Sequence, residues 1–261
     1  MTGRAAVGAV AAFAAVTAGA DALPQQTSAA DATTTVAAAT SAPRRPAVVE
    51  QRVIGRSVKG RPIRAWRLGE PRSRVKVVAL ASLHGDEAHP RMILDQLRDG
   101  RPVRGIDLWV VPAANPDGLR GRQRKNGNGV DLNRNFPRAW VPQDGQTESG
   151  SGPASEPETR ALMRFLRRVD PRFVVSFHQP LHGVDTWRAK RPRFVRRLAE
   201  HLRLPRKEFP CGGTCHGTFT QWFNHHFDGA AVTVEYGARP SWEHMNRRAP
   251  RQLLRALGGT R

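Results

Sequence analysis

Four short apolar segments constrain the fold of this chain more than any other feature. They span residues 75–80, 106–111, 173–175 and 230–234 of the 261-residue sequence. Each has the length and composition of a buried strand, and the stretches between them carry helical periodicity. Strands that alternate with helices in this way are typical of an α/β domain built around a largely parallel sheet.

Two of the intervening stretches predict amphipathic helices. One places Met92, Ile93 and Leu97 on a common face, and the other does the same for residues 161, 162, 165 and 166. Ser155, with Glu158 three residues later, predicts a capping box at the start of the second helix. In such a sheet, the loops at the carboxyl ends of the strands are where functional residues are expected.

The N-terminal 50 residues differ from the rest in composition. A basic start, an alanine-rich apolar run and a small-x-small site at residues 20–22 predict a signal peptide over 1–22. A membrane helix is the alternative, but the run is shorter than the ~20 residues that a span needs. Residues 23–50 predict a disordered linker, and 51–261 the folded domain. We therefore expect a secreted protein without a stable membrane anchor, and no inhibitory role for the linker.

Charge and cysteine content narrow the functional classes. The 42 basic and 22 acidic residues give a net charge of +20, which attracts anions. Because arginine accounts for most of this charge in an alanine-rich chain, we do not expect nucleic acid as a partner. Two cysteines are too few for a disulfide scaffold or a four-cysteine zinc site. Cys211 and Cys215 predict a disulfide in a secreted chain; a metal clip would need two further ligands.

A candidate metal site begins directly after the first apolar segment. His84 and Glu87 lie three residues apart in a predicted turn, where an imidazole and a carboxylate can face one ion. Taken alone, the pair also fits two unrelated surface residues in a loop. His178, at the end of another predicted strand, supplies a third candidate ligand. Two histidines, one glutamate and an open fourth position are typical of catalytic zinc.

The segments between these ligands resemble a known family. They are Asn115-Pro116-Asp117-Gly118, the run GVDLNRNFP at 129–137, and Glu156-Pro157-Glu158-Thr159. In this order they resemble the zinc carboxypeptidase family related to carboxypeptidase A, over roughly residues 55–235. The resemblance implies an α/β/α sandwich on a mixed, mostly parallel eight-stranded sheet, and an enzyme that hydrolyses peptide or related amide bonds.

The same resemblance implies the ligands and their support. His84, Glu87 and His178 would bind one Zn²⁺ per chain. Asp131 would orient a ligand imidazole through its second ring nitrogen, as metal-bound histidines require. Asn133 and Arg134 would hold the terminal carboxylate of the substrate, although a solvated loop is the alternative for this pair.

Two further residues carry chemistry in the family. Arg124 matches the arginine that stabilises the developing oxyanion, but Arg120 and Arg122 alternate with it in one basic loop and the assignment could shift by two residues. Glu235, at the end of the last apolar segment, matches the general base. A carboxylate in that position is costly to bury without a role.

One departure from the digestive members of the family concerns a mobile tyrosine. The sole tyrosine here is Tyr236, directly after Glu235, which puts that role in doubt. His216 is a candidate substitute, with an ordinary loop histidine as the alternative. His89, His225 and His226 have no partner at a metal-binding spacing, and we expect them to be structural or exposed.

The substrate class rests on a further resemblance. The stretch 178–185 is similar to bacterial murein peptide amidases, and Asp185 could bind the amino group of diaminopimelate. A basic, secreted protein would also be retained by an anionic cell wall. We expect a monomer acting on a peptide or muropeptide. The alternatives are a secreted carboxypeptidase for ordinary peptides, a deacylase of the succinylglutamate desuccinylase and aspartoacylase type, and an inactive wall-binding module.

Overall fold

The computed structural model describes residues 46–209 and 215–261. The predicted signal peptide and most of the predicted linker lie outside the described residues. The first strand begins at Val48, so residues 48–50 belong to the sheet and the domain starts three residues earlier than the sequence predicts.

Eight strands and six α-helices make up the described part of the chain. The strands are β1 (Val48–Arg56), β2 (Pro62–Gly69), β3 (Lys76–Ala81), β4 (Asp107–Val111), β5 (Phe173–His178), β6 (Leu181–Asp185), β7 (Arg206–Lys207) and β8 (Ala230–Gly237). The helices are α1 (Arg91–Asp99), α2 (Pro116–Gly121), α3 (Pro157–Val169), α4 (Pro192–Leu202), α5 (Phe219–His226) and α6 (Ala249–Leu257).

The strands form one mixed sheet in the order β1-β2-β4-β3-β5-β8-β6-β7. Strands β4, β3, β5 and β8 are mutually parallel at its centre, and β6 and β7 are also parallel. The antiparallel pairs are β1–β2, β2–β4 and β6–β8. The predicted α/β/α class and the mostly parallel eight-stranded sheet are confirmed, and the four apolar segments are its central strands.

Two hydrophobic cores lie on opposite faces of the sheet. One packs α1, α4 and α6 against the inward residues of the central strands, and the other packs α3 and α5 against their opposite side. Both faces of β3, β4 and β5 are buried, which explains their nearly continuous apolar sequences. Across the described residues, no helix is long and apolar enough to span a membrane.

The predicted capping box at α3 is wrong. Glu156 is the N-cap residue and makes no side-chain cap, while Pro157 occupies the first turn. Ser155 instead donates to Oε1 of Glu156 at 2.8 Å. Glu158 is buried and accepts from the backbone N–H of Val58 at 3.1 Å, so a long-range contact replaces the local cap.

Candidate metal centre and active site

The loop after β3 is held against the start of α2. A Cβ on Gly85 would lie 1.9 Å from the carbonyl carbon of Gly118, so only glycine allows the two backbones to approach this closely. Asn115 caps α2 by accepting from the N–H of Gly118 at 2.9 Å and donates to the carbonyl of Leu83 at 3.2 Å. The Asn-Pro-Asp-Gly motif thus fixes the loop that carries His84.

The three candidate ligands converge at the carboxyl ends of β3 and β5. Nδ1 of His84 lies 2.6 Å from Oε1 of Glu87, and Nδ1 of His178 lies 2.8 Å from Oε2 of the same carboxylate. All three side chains are buried, and one ligand atom from each lies within 4.8 Å of the others. The structure therefore brings together the ligand set that the sequence predicts.

The outer nitrogen of each imidazole has its own partner. Nε2 of His84 lies 3.0 Å from Oδ1 of Asp131, and Nε2 of His178 lies 3.1 Å from the hydroxyl of Ser176. Asp131 is fully buried and also accepts from the N–H of Asn133 at 2.9 Å. These contacts fix both rings so that their Nδ1 atoms face Glu87.

The electrostatics of the centre follow from this arrangement. Burial alone would lower the pKa of His84, but the carboxylates of Asp131 and Glu87 outweigh it and raise the pKa to about 9. Burial would raise the pKa of Glu87, yet His178 and His84 lower it to about 2. The pKa of Asp131 is likewise depressed, because His84 and Arg124 overcome the effect of burial. The buried carboxylates are therefore charged at neutral pH.

The donor set fits zinc. Two imidazole nitrogens and one carboxylate oxygen are ligand types that Zn²⁺ prefers, and three protein ligands leave one position open. The second-nitrogen partners Asp131 and Ser176 complete the support that zinc-binding histidines usually have.

A cavity of about 890 Å³ opens beside this centre. Its walls include the three candidate ligands. They also include six other residues that the sequence analysis singled out: Arg124, Asn133, Arg134, Asp185, His216 and Glu235. Sequence analysis placed these residues in several separate segments, and the fold assembles them around one space.

Glu235 lies next to His178 in the sheet. The two residues are register partners in the parallel β5–β8 pair. Oε2 of Glu235 accepts from the N–H of Leu181 at 3.2 Å, and burial raises the pKa of this carboxyl. A buried carboxylate with a raised pKa that lines the cavity is suited to exchange protons.

Asn133 and Arg134 present donors to the cavity. Oδ1 of Asn133 accepts from the N–H of Phe219 at 2.9 Å, and its amide NH₂ donates to none of the described residues. Arg134 donates from Nη1 to the carbonyl of Asn133 at 2.9 Å, while its buried Nε has no hydrogen-bond partner among the described residues. Burial lowers the pKa of Arg134. An unmet donor on a buried guanidinium fits a carboxylate ligand.

The structure separates the three arginines of the basic loop. Arg120 and Arg122 are exposed and do not line the cavity, whereas Arg124 does. Nε and Nη2 of Arg124 donate to Oδ2 of Asp131 at 3.0 and 2.7 Å. Its Nη1 lies 3.3 Å from Nδ1 of His84, so this guanidinium reaches the metal centre itself.

The remaining sequence candidates divide between the cavity and the core. Tyr236 is buried, stacks on Phe177 with ring centroids 6.1 Å apart and does not line the cavity. His216 lines the cavity and contacts the carbonyl of Ala139 through Nδ1 at 3.1 Å, so it stays the candidate for the missing tyrosine's role. Cys211 lies outside the described residues, and the Cys211–Cys215 disulfide stays a prediction.

Sequence reasoning missed Ser176 and Gln179. Ser176 lies two residues before His178 on a strand and therefore on the same face, a signal that could have identified it. Gln179 donates from Nε2 to the carbonyl of Gly237 at 2.9 Å and accepts from the N–H of His89 at 3.2 Å. It joins three segments at the cavity, and no local pattern announces such a long-range contact.

Comparison with known proteins agrees with the fold and the site. The sequence profile described as zinc carboxypeptidase matches residues 36–184, more than half of the chain. The chain belongs to the zinc carboxypeptidase family.

Among individual proteins, murein peptide amidase A of Escherichia coli K12 is 39% identical over 148 residues, which cover 50% of this chain and 60% of the amidase. The aligned region is thus less than two thirds of that relative. The crystal structure of murein-tripeptide amidase from Escherichia coli O157 superposes with a TM-score of 0.69 at 31% identity, covering 79% of this chain and 91% of the other. Carboxypeptidase A of Helicoverpa armigera shares the fold, with a TM-score of 0.66 at 18% identity over 81% of this chain and 68% of the other.

Proposed function

We propose that this protein is a hydrolase that acts outside the cytoplasm on peptidoglycan stem peptides. It would cleave the amide bond that precedes a residue with a free terminal carboxylate, as a murein peptide amidase does. One observation carries the proposal: the candidate zinc ligands, Glu235, the incompletely paired Arg134 and the carboxylate of Asp185 all line the same cavity. The similarity to the two Escherichia coli amidases supports the substrate class.

Substrate positioning would come from the wall that carries Asn133 and Arg134. The terminal carboxylate of the substrate would accept from the side-chain amide of Asn133 and from the guanidinium of Arg134, both of which line the cavity. A planar guanidinium can hold a carboxylate through two hydrogen bonds, which orients the scissile amide as well as binding it.

Chemistry would take place between the metal centre and Glu235. Bound zinc would polarise the scissile carbonyl and activate a water molecule at the open position. Glu235 would accept the proton of that water and deliver it to the leaving amine, a role that its raised pKa suits. Arg124 would donate to the oxygen on which negative charge develops.

Asp185 would contribute to the choice of substrate. Its side chain lines the cavity next to the sheet position of Thr233, and no described cation forms an ion pair with it. Such a carboxylate suits an ammonium group on the side chain of the residue that carries the terminal carboxylate. Diaminopimelate provides this group.

The proposed location rests on the sequence. A signal peptide over residues 1–22 would direct secretion, and the net charge of +20 would retain the protein in an anionic cell wall. Fusing residues 1–50 to a reporter enzyme and assaying the culture medium and cell wall fractions tests secretion. Retention of the reporter in the cytoplasm would contradict it.

The activity is tested with purified, zinc-loaded protein and three substrate types. These are the stem peptide L-Ala-γ-D-Glu-diaminopimelate, ordinary peptides with free C-termini, and the small acylated amino acids N-succinylglutamate and N-acetylaspartate. We expect product masses that show release of diaminopimelate from the stem peptide, at a kcat/KM well above those of the others. Faster cleavage of ordinary peptides would indicate a general carboxypeptidase, and faster cleavage of the small substrates a deacylase. No cleavage of any of them by the zinc-loaded protein would indicate a binding module.

A further inference from the structure

The turn that follows β6 brings a carboxylate and a guanidinium to the same cavity. Asp185 ends β6, and Asp185, Trp187 and Arg188 all line the cavity. The carbonyl of Thr186 accepts from the N–H of Ala189 at 3.3 Å, which closes the turn. Two side chains of opposite charge, three residues apart on one turn, thus border the cavity.

The position of Asp185 relative to the metal centre follows from strand register. In the antiparallel β6–β8 pair, Gly183 lies opposite Glu235 and Val184 opposite Val234, which places Asp185 beside Thr233. Two residues along a strand correspond to roughly 7 Å. Asp185 therefore lies one pleat further along the cavity than Glu235, within the reach of a long side chain whose backbone amide lies at the metal centre.

The carboxylate of Asp185 is held by only one of its oxygens. Oδ1 accepts from the N–H groups of Trp187 at 2.9 Å and Phe209 at 3.2 Å. Oδ2 has no hydrogen bond with a described residue. Burial raises the pKa of Asp185, as expected for a carboxylate without a cationic partner, and Glu208 on the same cavity wall adds to the effect.

The guanidinium of Arg188 stacks on Trp187 but forms no ion pair with a described carboxylate. It lies 4.6 Å from the centroid of the Trp187 ring, a cation–π contact that stacks the side chain on the turn. It forms no ion pair with any residue in the described ranges, although Asp185 is three residues away. The Asp185–Trp187 hydrogen bond and the Trp187–Arg188 stacking thus hold two unpaired, opposite charges on one short segment.

We propose that the turn from Asp185 to Arg188 recognises a substrate side chain that ends in an α-amino acid group, with Arg188 binding its carboxylate and Asp185 its ammonium. This inference rests on the proposed function and adds to it a specificity-determining residue, Arg188. A diamino diacid such as diaminopimelate has this terminal group. Lysine has the ammonium at the same position but lacks the carboxylate, so Arg188 would distinguish the two.

Arg138 is the other exposed arginine on the cavity wall, and it does not belong to the turn after β6. Its charge lowers the pKa of His225, at the end of α5, and it belongs to a segment 50 residues before Arg188 in sequence. Asp185 and Arg188 both border the cavity from one short turn, joined by the Asp185–Trp187 hydrogen bond and the Trp187–Arg188 stacking.

The test compares two stem peptides that differ only in the last residue, L-Ala-γ-D-Glu-diaminopimelate and L-Ala-γ-D-Glu-L-lysine. We expect wild-type protein to have the higher kcat/KM for the first. Arg188→Ala should reduce the ratio of the two kcat/KM values about five- to tenfold, since an exposed charge-assisted contact is partly screened by water. Arg188→Lys should recover part of the ratio, because an ammonium keeps the charge but not the planar donor pair.

Two matched variants complete the design. Arg193→Ala removes an exposed arginine of α4 that does not line the cavity and should leave the ratio at its wild-type value. Arg138→Ala should do the same. A collapse of the ratio in Arg138→Ala with none in Arg188→Ala would overturn the assignment.

The outcome for wild type separates this inference from the proposed function. If wild-type protein cleaves both peptides with equal kcat/KM, the amidase activity stands and the role of Arg188 is refuted. If it cleaves neither and cleaves ordinary peptides instead, the proposed function itself fails.

Amidating the α-carboxylate of the D-Glu residue gives a further check. If Arg188→Ala changes the effect of that amidation but not the diaminopimelate-to-lysine ratio, then Arg188 binds the other carboxylate and the proposal is wrong.

Discussion

Nε2 of His84 lies 3.0 Å from Oδ1 of Asp131, on the side of the ring opposite to the Nδ1 atom that faces the metal centre. The imidazole therefore lies between two buried carboxylates, Asp131 and Glu87. Both favour a proton on the ring, and together they raise the pKa of His84 to about 9 despite its burial. A zinc ion must displace that proton, because only a neutral imidazole can coordinate through Nδ1.

Zinc binding should consequently release close to one proton per ion at pH 7. Calorimetric titration of the metal-free protein with Zn²⁺, in buffers of different ionisation enthalpy, measures this number directly. We expect the release to fall to about half a proton near pH 9, the pKa of His84. Asp131→Asn removes one of the two carboxylates and should weaken zinc binding roughly ten- to a hundredfold while reducing the proton release. Zinc binding at pH 7 without any proton uptake or release would contradict this view of the centre.

Loss of the same proton should make the chelator-treated protein less stable as the pH rises. The folded-state pKa of about 9 exceeds the unfolded value of 6.5, so the contribution of His84 is complete below pH 6.5 and is lost as the pH rises through 9. Its size would be on the order of 3 kcal/mol. Urea unfolding of the chelator-treated protein from pH 6 to 9.5 measures the slope. His84→Gln should flatten it, and an equally steep slope in that variant would assign the effect to other groups.

The loop that carries His84 should depend on glycine at position 85. A Cβ there would lie 1.9 Å from backbone of Gly118, so Gly85→Ala must displace the loop or the start of α2. Overpacking of this kind costs about 1–3 kcal/mol of stability or more, and the displaced loop should also bind zinc less tightly. Gly152→Ala is the matched control, because nothing lies within 4 Å of its Cβ position and its φ is not positive. Equal unfolding midpoints for the two variants would show that the backbones do not need their close approach.

Much of the fold could be predicted from sequence because its central strands are buried on both faces. Such strands are continuous apolar runs that do not depend on distant partners. β1 was not predicted, and the start of the domain was placed three residues too late, for the opposite reason. Its side chains alternate between half-buried and exposed, and it is a strand because it pairs with β2. At α3, Ser155 and Glu158 have the spacing of a capping box. Glu158 instead binds the backbone of Val58, a residue 100 positions away in sequence, and this contact replaces the local cap.

The candidate site shows the same division. His84, Glu87 and His178 could be singled out because they lie at or just after the ends of apolar runs, and the family resemblance then supported them and gave Glu235 its role. The hydrogen bonds of Gln179 to the segments at residues 89 and 237 could not be predicted from sequence. They depend on how loops from three parts of the chain meet.

Glu235→Gln should keep zinc and lose most of the reaction rate. The amide preserves the shape of the side chain but cannot accept a proton from water, so we expect kcat to fall at least a hundredfold. Metal content, measured by atomic absorption on the dialysed variant, should stay near one zinc per chain. His178→Ala is the contrasting variant and should lose both metal and activity, because two ligands do not make an adequate site. Near-native turnover by Glu235→Gln would place the base elsewhere.

Arg134→Ala should abolish the preference for substrates with a free terminal carboxylate. The guanidinium of Arg134 is largely buried, lines the cavity and forms no ion pair within the described ranges, so a substrate carboxylate would neutralise its charge. Loss of this charge-assisted contact should cost about 1.5–3 kcal/mol for the acid form of a stem peptide and much less for its amide. The ratio of kcat/KM for the acid and amide forms of one peptide is the measurement.

Arg134→Lys should restore the ratio only in part, because an ammonium cannot form two parallel hydrogen bonds. Arg120→Ala, which removes an exposed arginine outside the cavity, should leave the ratio unchanged. If Arg134→Ala also leaves it unchanged, other residues bind the acid end of the substrate.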